Sequence, residues 1–145
     1  MPSANRARGF TLFELLVVII LMGVAVGVVS FSVQQGLHSA AERRVLAQMV
    51  EALRAARVRA IVTGQPARTR FDLPDRKFQG PGEPARELPA DLFVRVNTAQ
   101  ELGSSFEFYP DGGASGGSVL LARGGRQWRI DVGWLTGNVQ LRTLQ

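Results

Sequence analysis

The chain has 145 residues, 17 of them basic and 12 acidic, with 46% apolar content and no cysteine. That length allows one membrane-type segment plus one small domain, and the missing cysteine excludes a disulfide framework, a thiolate metal site and a cysteine nucleophile. Of the basic residues only Lys77 is a lysine, an arginine bias of a kind that often reflects genome composition and is not read as a polyanion site, and Arg6 and Arg8 lie at the N-terminus. The remainder is only weakly positive, which argues against nucleic-acid binding.

Residues 1–9 are polar, carry Arg6 and Arg8, and contain no acidic residue. An apolar run follows over residues 11–33, with Glu14 as its single charge. A run of that length can cross a bilayer, which needs ~20 apolar helical residues. Positive charge on its N-terminal side predicts that the chain beyond residue 33 lies outside the cytoplasm. Val29, Phe31 and Val33 make a poor small-residue cleavage site, so removal of the span by signal peptidase is not expected. A carboxylate inside such a run is costly, and its presence is a functional signal. The other reading is that Glu14 sits near the headgroups and complements the helix dipole.

The residues around it resemble the type IV pilin-like signal. The leader ends at Gly9, then come Phe10, Thr11, Leu12, Phe13, Glu14 and the long apolar run. The resemblance implies cleavage after Gly9 by the prepilin peptidase and N-methylation of Phe10. It also implies that Glu14 is an assembly contact, paired in the filament with the N-terminal amine of a neighbouring subunit. A Gly23–Gly27 spacing within the span could form a close-packing face for another helix, but glycine is common in membrane helices and chance is the favoured reading.

From residue 34 the pattern turns amphipathic. Leu37, Ala41, Val45, Met49, Leu53, Ala56 and Ala60 recur at spacings of three and four, one face of a helix. No proline intervenes before Pro66, and Gly64-Gln65-Pro66 forms a stop. The expectation is one nearly continuous helix from about residue 10 to residue 62, with a membrane or filament-core part over 10–33 and an amphipathic part over 34–64. Arg54, Arg57 and Arg59 are expected on a solvated face or against polar loops. His38, the only histidine, has no companion for a metal role.

Beyond residue 65 the period shortens to that of strands. Candidate strands are 67–73, 77–79, 92–97, 105–109, 118–122, 127–132 and 138–141. Phe106 and Phe108 fall on one side, as do Trp128, Ile130 and Val132. Glycine pairs at 112–113, 116–117 and 124–125 mark turns. Residues 81–89, rich in proline, read as a connecting loop. The 109–117 segment lacks a P-loop ending and reads as a hairpin rather than a phosphate cradle. No catalytic constellation, cofactor site or metal site is expected, and a calcium site at Asp111 has no supporting ligand spacing.

The β-rich region carries a second resemblance, in Phe106-Glu-Phe-Tyr-Pro-Asp-Gly, Ser115-Gly-Gly, Ile130-Asp-Val and Thr136-Gly-Asn-Val. These residues look like the C-terminal domain of the type II secretion minor pseudopilin H family, related to minor type IV pilins of the FimT/FimU kind. The implied fold is α+β and pilin-like, a long N-terminal helix packed on an antiparallel sheet or β-sandwich over residues 65–145. The implied role is a structural, non-enzymatic subunit of the pseudopilus tip complex that supports export of folded proteins. Implied partners are other minor pseudopilins, the major pseudopilin, the prepilin peptidase and the inner-membrane assembly platform. The implied location is the bacterial inner membrane with the C-terminal domain in the periplasm. The alternative is a minor type IV pilin that primes pilus assembly or DNA uptake.

Overall fold

The structure is a computed structural model that describes residues 11–144, with the side chains of residues 28–39 outside the description. One helix, α1 (Leu12–Thr63), precedes eight strands: β1 (Ala67–Asp72), β2 (Lys77–Gln79), β3 (Arg86–Glu87), β4 (Phe93–Asn97), β5 (Ser105–Phe108), β6 (Gly117–Arg123), β7 (Arg126–Val132) and β8 (Val139–Leu144). The chain divides into two compact units, Met1–Glu42 and Arg43–Gln145, so the division falls inside α1.

The ends of α1 follow from local chemistry. At its start the Thr11 hydroxyl accepts the Glu14 N–H at 3.3 Å, and the Thr11 carbonyl accepts the Leu15 N–H at 3.2 Å. A threonine oxygen taking the N–H three residues on is an N-cap, which satisfies one donor the helix leaves open. At its end Gly64 adopts φ 65°, a conformation glycine reaches without a Cβ penalty. There Thr63 Oγ1 donates to the Arg59 carbonyl at 2.7 Å and accepts the Gln65 N–H at 3.4 Å.

In the first unit every side chain described from Leu12 to Gly27 is exposed. Among the described residues no helix is long and apolar enough to cross a membrane. The run expected to do so continues into residues 28–33, which lie outside the described side chains.

The second unit is built on the other half of α1. Leu46, Met49, Val50, Ala52, Leu53, Ala56 and Ala60 join one core with residues of all the longer strands. The expected stripe therefore holds from Met49 to Ala60, is half-buried at Val45, and fails at Ala41, which is exposed. The buried face is also broader than a four-residue spacing suggests, because it meets two sheets.

Those sheets are antiparallel and four-stranded, in the orders β3-β2-β1-β5 and β4-β6-β7-β8. Alternation selects their inner faces: Ala67, Thr69 and Phe71 on β1, and Trp128, Ile130 and Val132 on β7, are all buried. Phe71 stacks on Phe78 and meets Phe106 edge-on, each at 5.9 Å between ring centres. Thr69, buried, donates its hydroxyl to the Ala52 carbonyl at 3.2 Å and so ties β1 to α1.

Two expectations change here. Residues 81–89 are not simply a loop, because Arg86 and Glu87 pair with Phe78 and Lys77 on β2, and Leu88 is buried. A further segment there is held by Arg76, whose guanidinium donates to the carbonyls of Pro89 and, at 2.9 Å, Leu92. The 109–117 segment does close on itself, through a Phe108–Ala114 bridge and a Gly112 N–H to Tyr109 carbonyl bond of 3.0 Å. It then crosses to the other sheet instead of continuing as a hairpin. At the crossing Gly117 has φ 122°, and a Cβ there would fall on the Asn97 carbonyl. The Gly124–Gly125 pair, with φ 54° and 81°, makes the two-residue β6–β7 turn.

Candidate assembly surface

The first expected site residues, Gly9 and Phe10, lie outside the described residues. Glu14 stands exposed in the first turn of α1. Among the described residues no cation pairs with it. Its own N–H, bonded to Thr11, makes Thr11-Leu12-Phe13-Glu14 a sequence of capping-box spacing, threonine at the N-cap and glutamate three residues on. The sequence carries that signal in the Thr11–Glu14 spacing. Thr11 thus caps the helix start through the Glu14 N–H, and the Glu14 carboxylate stands accessible in the first turn. Among the described residues, a Cβ built on Gly23 or Gly27 would meet nothing within 4 Å.

In the second unit three helix arginines hold backbone carbonyls, one at the start of β8 and the others in loops. Arg54 donates to Val139 at 3.2 Å, Arg57 to Gly112 at 3.3 Å and Thr136 at 3.0 Å, and Arg59 to Pro81 at 3.1 Å. These are the polar loops the sequence pattern allowed for. A guanidinium presents several donors in a fixed fork and can hold two carbonyls at once.

The loop between β7 and β8 is the most tightly held. The Gly133 N–H bonds the Asn138 carbonyl at 2.9 Å, the Gly137 N–H bonds the Gly133 carbonyl at 2.8 Å, and the Trp134 carbonyl accepts the Ala114 N–H at 2.9 Å. Gly137 has φ 60°, and a Cβ there would fall on the Gly112 carbonyl and lie 2.9 Å from Arg57 Nε. Gly137→Ala is accordingly expected to destabilise the domain by about 2–3 kcal/mol. Thermal unfolding of the detergent-solubilised chain checks this, with a melting point lower by on the order of 10 °C.

At the tip of this fixed loop Trp134 and Leu135 are each 70% exposed. On α1 nearby in sequence to Arg57, Val58, Ile61 and Val62 are exposed as well. An open groove of about 800 Å³ runs along that helix, lined by Val50, Ala55, Val58, Val62 and Pro81. Exposed apolar side chains held on a rigid backbone lose little entropy on association, and tryptophan is a frequent binding anchor.

Five carboxylates of the second unit serve structure. Glu107 pairs with Arg68, Glu83 with Arg86, Asp91 with Arg123 and Asp131 with Arg129, at 2.6 to 3.0 Å. The Asp111 carboxylate accepts the Gly113 N–H at 2.9 Å, closing a turn. Nothing in these arrangements builds a nucleophile with a base.

A capped, exposed apolar helix start and a two-sheet antiparallel domain around the helix's second half define a pilin-like filament subunit. Comparisons with known proteins narrow this. The prokaryotic N-terminal methylation motif matches residues 4–30, and the type II transport protein GspH family matches residues 46–136. The type II secretion system protein H of Xanthomonas campestris pv. campestris is 34% identical over 141 residues, covering 94% of this chain and 83% of that protein. The minor pseudopilin EpsH from the type 2 secretion system of Vibrio cholerae has the same fold, with a TM-score of 0.52 at 18% identity. That match covers 70% of this chain and 94% of EpsH. The chain belongs to the GspH family of type II transport proteins, and its methylation motif is that of a membrane-anchored chain.

Proposed function

We propose that the chain is a structural minor pseudopilin of a type II secretion pseudopilus, sited in its tip complex and supporting export of folded proteins. One observation carries this reading: a methylation-motif helix, exposed and apolar over residues 12–27, continues into a domain of the GspH family. In this reading the prepilin peptidase cuts after Gly9 and Phe10 is N-methylated. The leader stays in the cytoplasm, α1 holds the chain in the inner membrane, and the β-sheets stand in the periplasm. An inner-membrane assembly platform then moves the helix from lipid into the filament. Apolar neighbours replace lipid tails there, so the transfer costs little in burial. Other minor pseudopilins and the major pseudopilin are the partners, and no enzymatic step is involved.

Deletion of the gene tests it. Exoprotein secretion is expected to fail while twitching and transformation continue. The reverse pattern would assign the chain to a type IV pilus as a minor pilin. Within the secretion reading, Trp134→Ala is expected to lower secretion at least tenfold, about the 1.4 kcal/mol or more of a binding anchor. Its melting point should stay unchanged, because the side chain is exposed. Secretion equal to wild type would remove the loop tip from the assembly surface.

A further inference from the structure

The register of the second sheet places Arg95 of β4, Leu120 of β6, Arg129 of β7 and Arg142 of β8 in one row across four strands. Strands lie about 4.8 Å apart, so the row is about 14 Å long. Side chains of β7 alternate, and Trp128, Ile130 and Val132 take the core, so the row lies on the outer face. All three arginines are exposed. Arg129 and Arg142 face each other on adjacent strands, an arrangement of like charges that works against pairing.

Only one carboxylate lies among them. Asp131 meets Arg129 at 2.6 Å and Arg142 at 3.8 Å. Arg95 has no carboxylate partner among the described residues. Next to Arg95 on the same face stands Phe93, 64% exposed. Leu120, half-buried, fills the centre of the row. The face thus holds three guanidinium groups against one carboxylate, with apolar side chains between them.

We propose that this face docks an acidic surface of another protein subunit in the same assembly, with Arg95, Arg129 and Arg142 as the charge-reading residues. Charge complementarity requires an anionic occupant. Arginine and aromatic side chains set together are the composition of protein interfaces. A nucleic acid would call for the broader basic field that the weak overall balance does not supply. Guanidinium groups pair with carboxylates through two parallel hydrogen bonds, which gives orientation as well as attraction. The inference names the partner chemistry for one surface and rests on the chain being an assembly subunit.

The test uses the full chain in secreting cells, with a photo-cross-linking amino acid at Leu120 and, separately, at Val58 on α1. Arg95→Gln, Arg129→Gln and Arg142→Gln are combined in one variant. That variant relieves like-charge contact and removes a solvent-screened ion pair, which contributes little to stability, so its melting point should stay within a few degrees of wild type. The probe at 120 is expected to form an adduct with a pseudopilus subunit, mapped to a segment containing aspartate or glutamate. The triple variant should cut that adduct at least tenfold and leave the Val58 adducts unchanged. Arg129→Glu should abolish it, and replacing the contacted carboxylate of the partner with arginine should restore it. An undiminished adduct in the triple variant overturns the proposal. So does an adduct removed by nuclease, or one carrying lipid. Adducts at Val58 with none at 120 would overturn it while the assembly role stands. Loss of both, with secretion independent of the gene, would remove the assembly role itself.

Discussion

A chain carrying Glu14→Ala is expected to reach the membrane and be processed, yet to enter the pseudopilus at less than about one hundredth of the wild-type level. In the proposed filament the Glu14 carboxylate meets the Phe10 amine of a neighbour in apolar surroundings. Removing one member of a buried ion pair leaves the other charge uncompensated, at a cost of about 3–5 kcal/mol, and each 1.4 kcal/mol is a factor of ten. The structure adds a competing role, because Glu14 stands at the capping-box position behind Thr11. Loss of a cap is worth only ~1 kcal/mol, so magnitude separates the two. Glu14→Gln separates them chemically, since glutamine serves a capping box but carries no charge. Incorporation of Glu14→Gln near zero supports pairing. Incorporation of both variants at the wild-type level would leave the carboxylate with no assembly role. The readout is the fraction of the chain co-purifying with sheared filaments.

Phe106→Ala is expected to unfold much of the second unit. Phe106 is fully buried, stands opposite Thr69 on β1, and meets Phe71 edge-on. A Cβ built on Gly117 would lie 3.1 Å from its ring, so Phe106 also reaches the first residue of β6 and spans the two sheets. Truncating a buried phenylalanine costs about 3–5 kcal/mol, against a total stability of about 5–15 kcal/mol for a domain. The steady-state level of the chain should fall several-fold, with a matching loss of melting temperature. Phe93, also aromatic but 64% exposed on β4, provides the contrast. Its replacement by alanine should change stability by less than about 0.5 kcal/mol. Equal effects at the two positions would mean that the core is not where the sheets meet.

The main elements were legible because their causes are local. The absence of proline from Thr11 to Gln65 and the Gly64 stop set α1, and alternation around Phe71, Phe106 and Ile130 set the longer strands. What was not legible depends on distant residues. β3 has only Arg86 and Glu87, sits between prolines, and exists because β2 offers it an edge. Leu46, Val50 and Ala52 enter the core because the sheets cover a wider part of the helix than one stripe. The switch of sheets at Gly117 is set by the nearness of Asn97, twenty residues earlier in the chain and invisible to any local pattern. Among the residues proposed for assembly, Glu14 stood out because a single charge in an apolar run is conspicuous. Trp134 and Leu135 did not, since an apolar pair between glycines reads as an ordinary turn until its exposure and the Arg57 contacts are seen.

The most direct measurement is the intact mass and N-terminal sequence of the chain isolated from its native membrane. A processed pilin-like subunit begins at Phe10, with one methyl group on its amine. A chain that retains Met1, or one cut beyond residue 33, would contradict the assignment of the N-terminal helix to filament assembly.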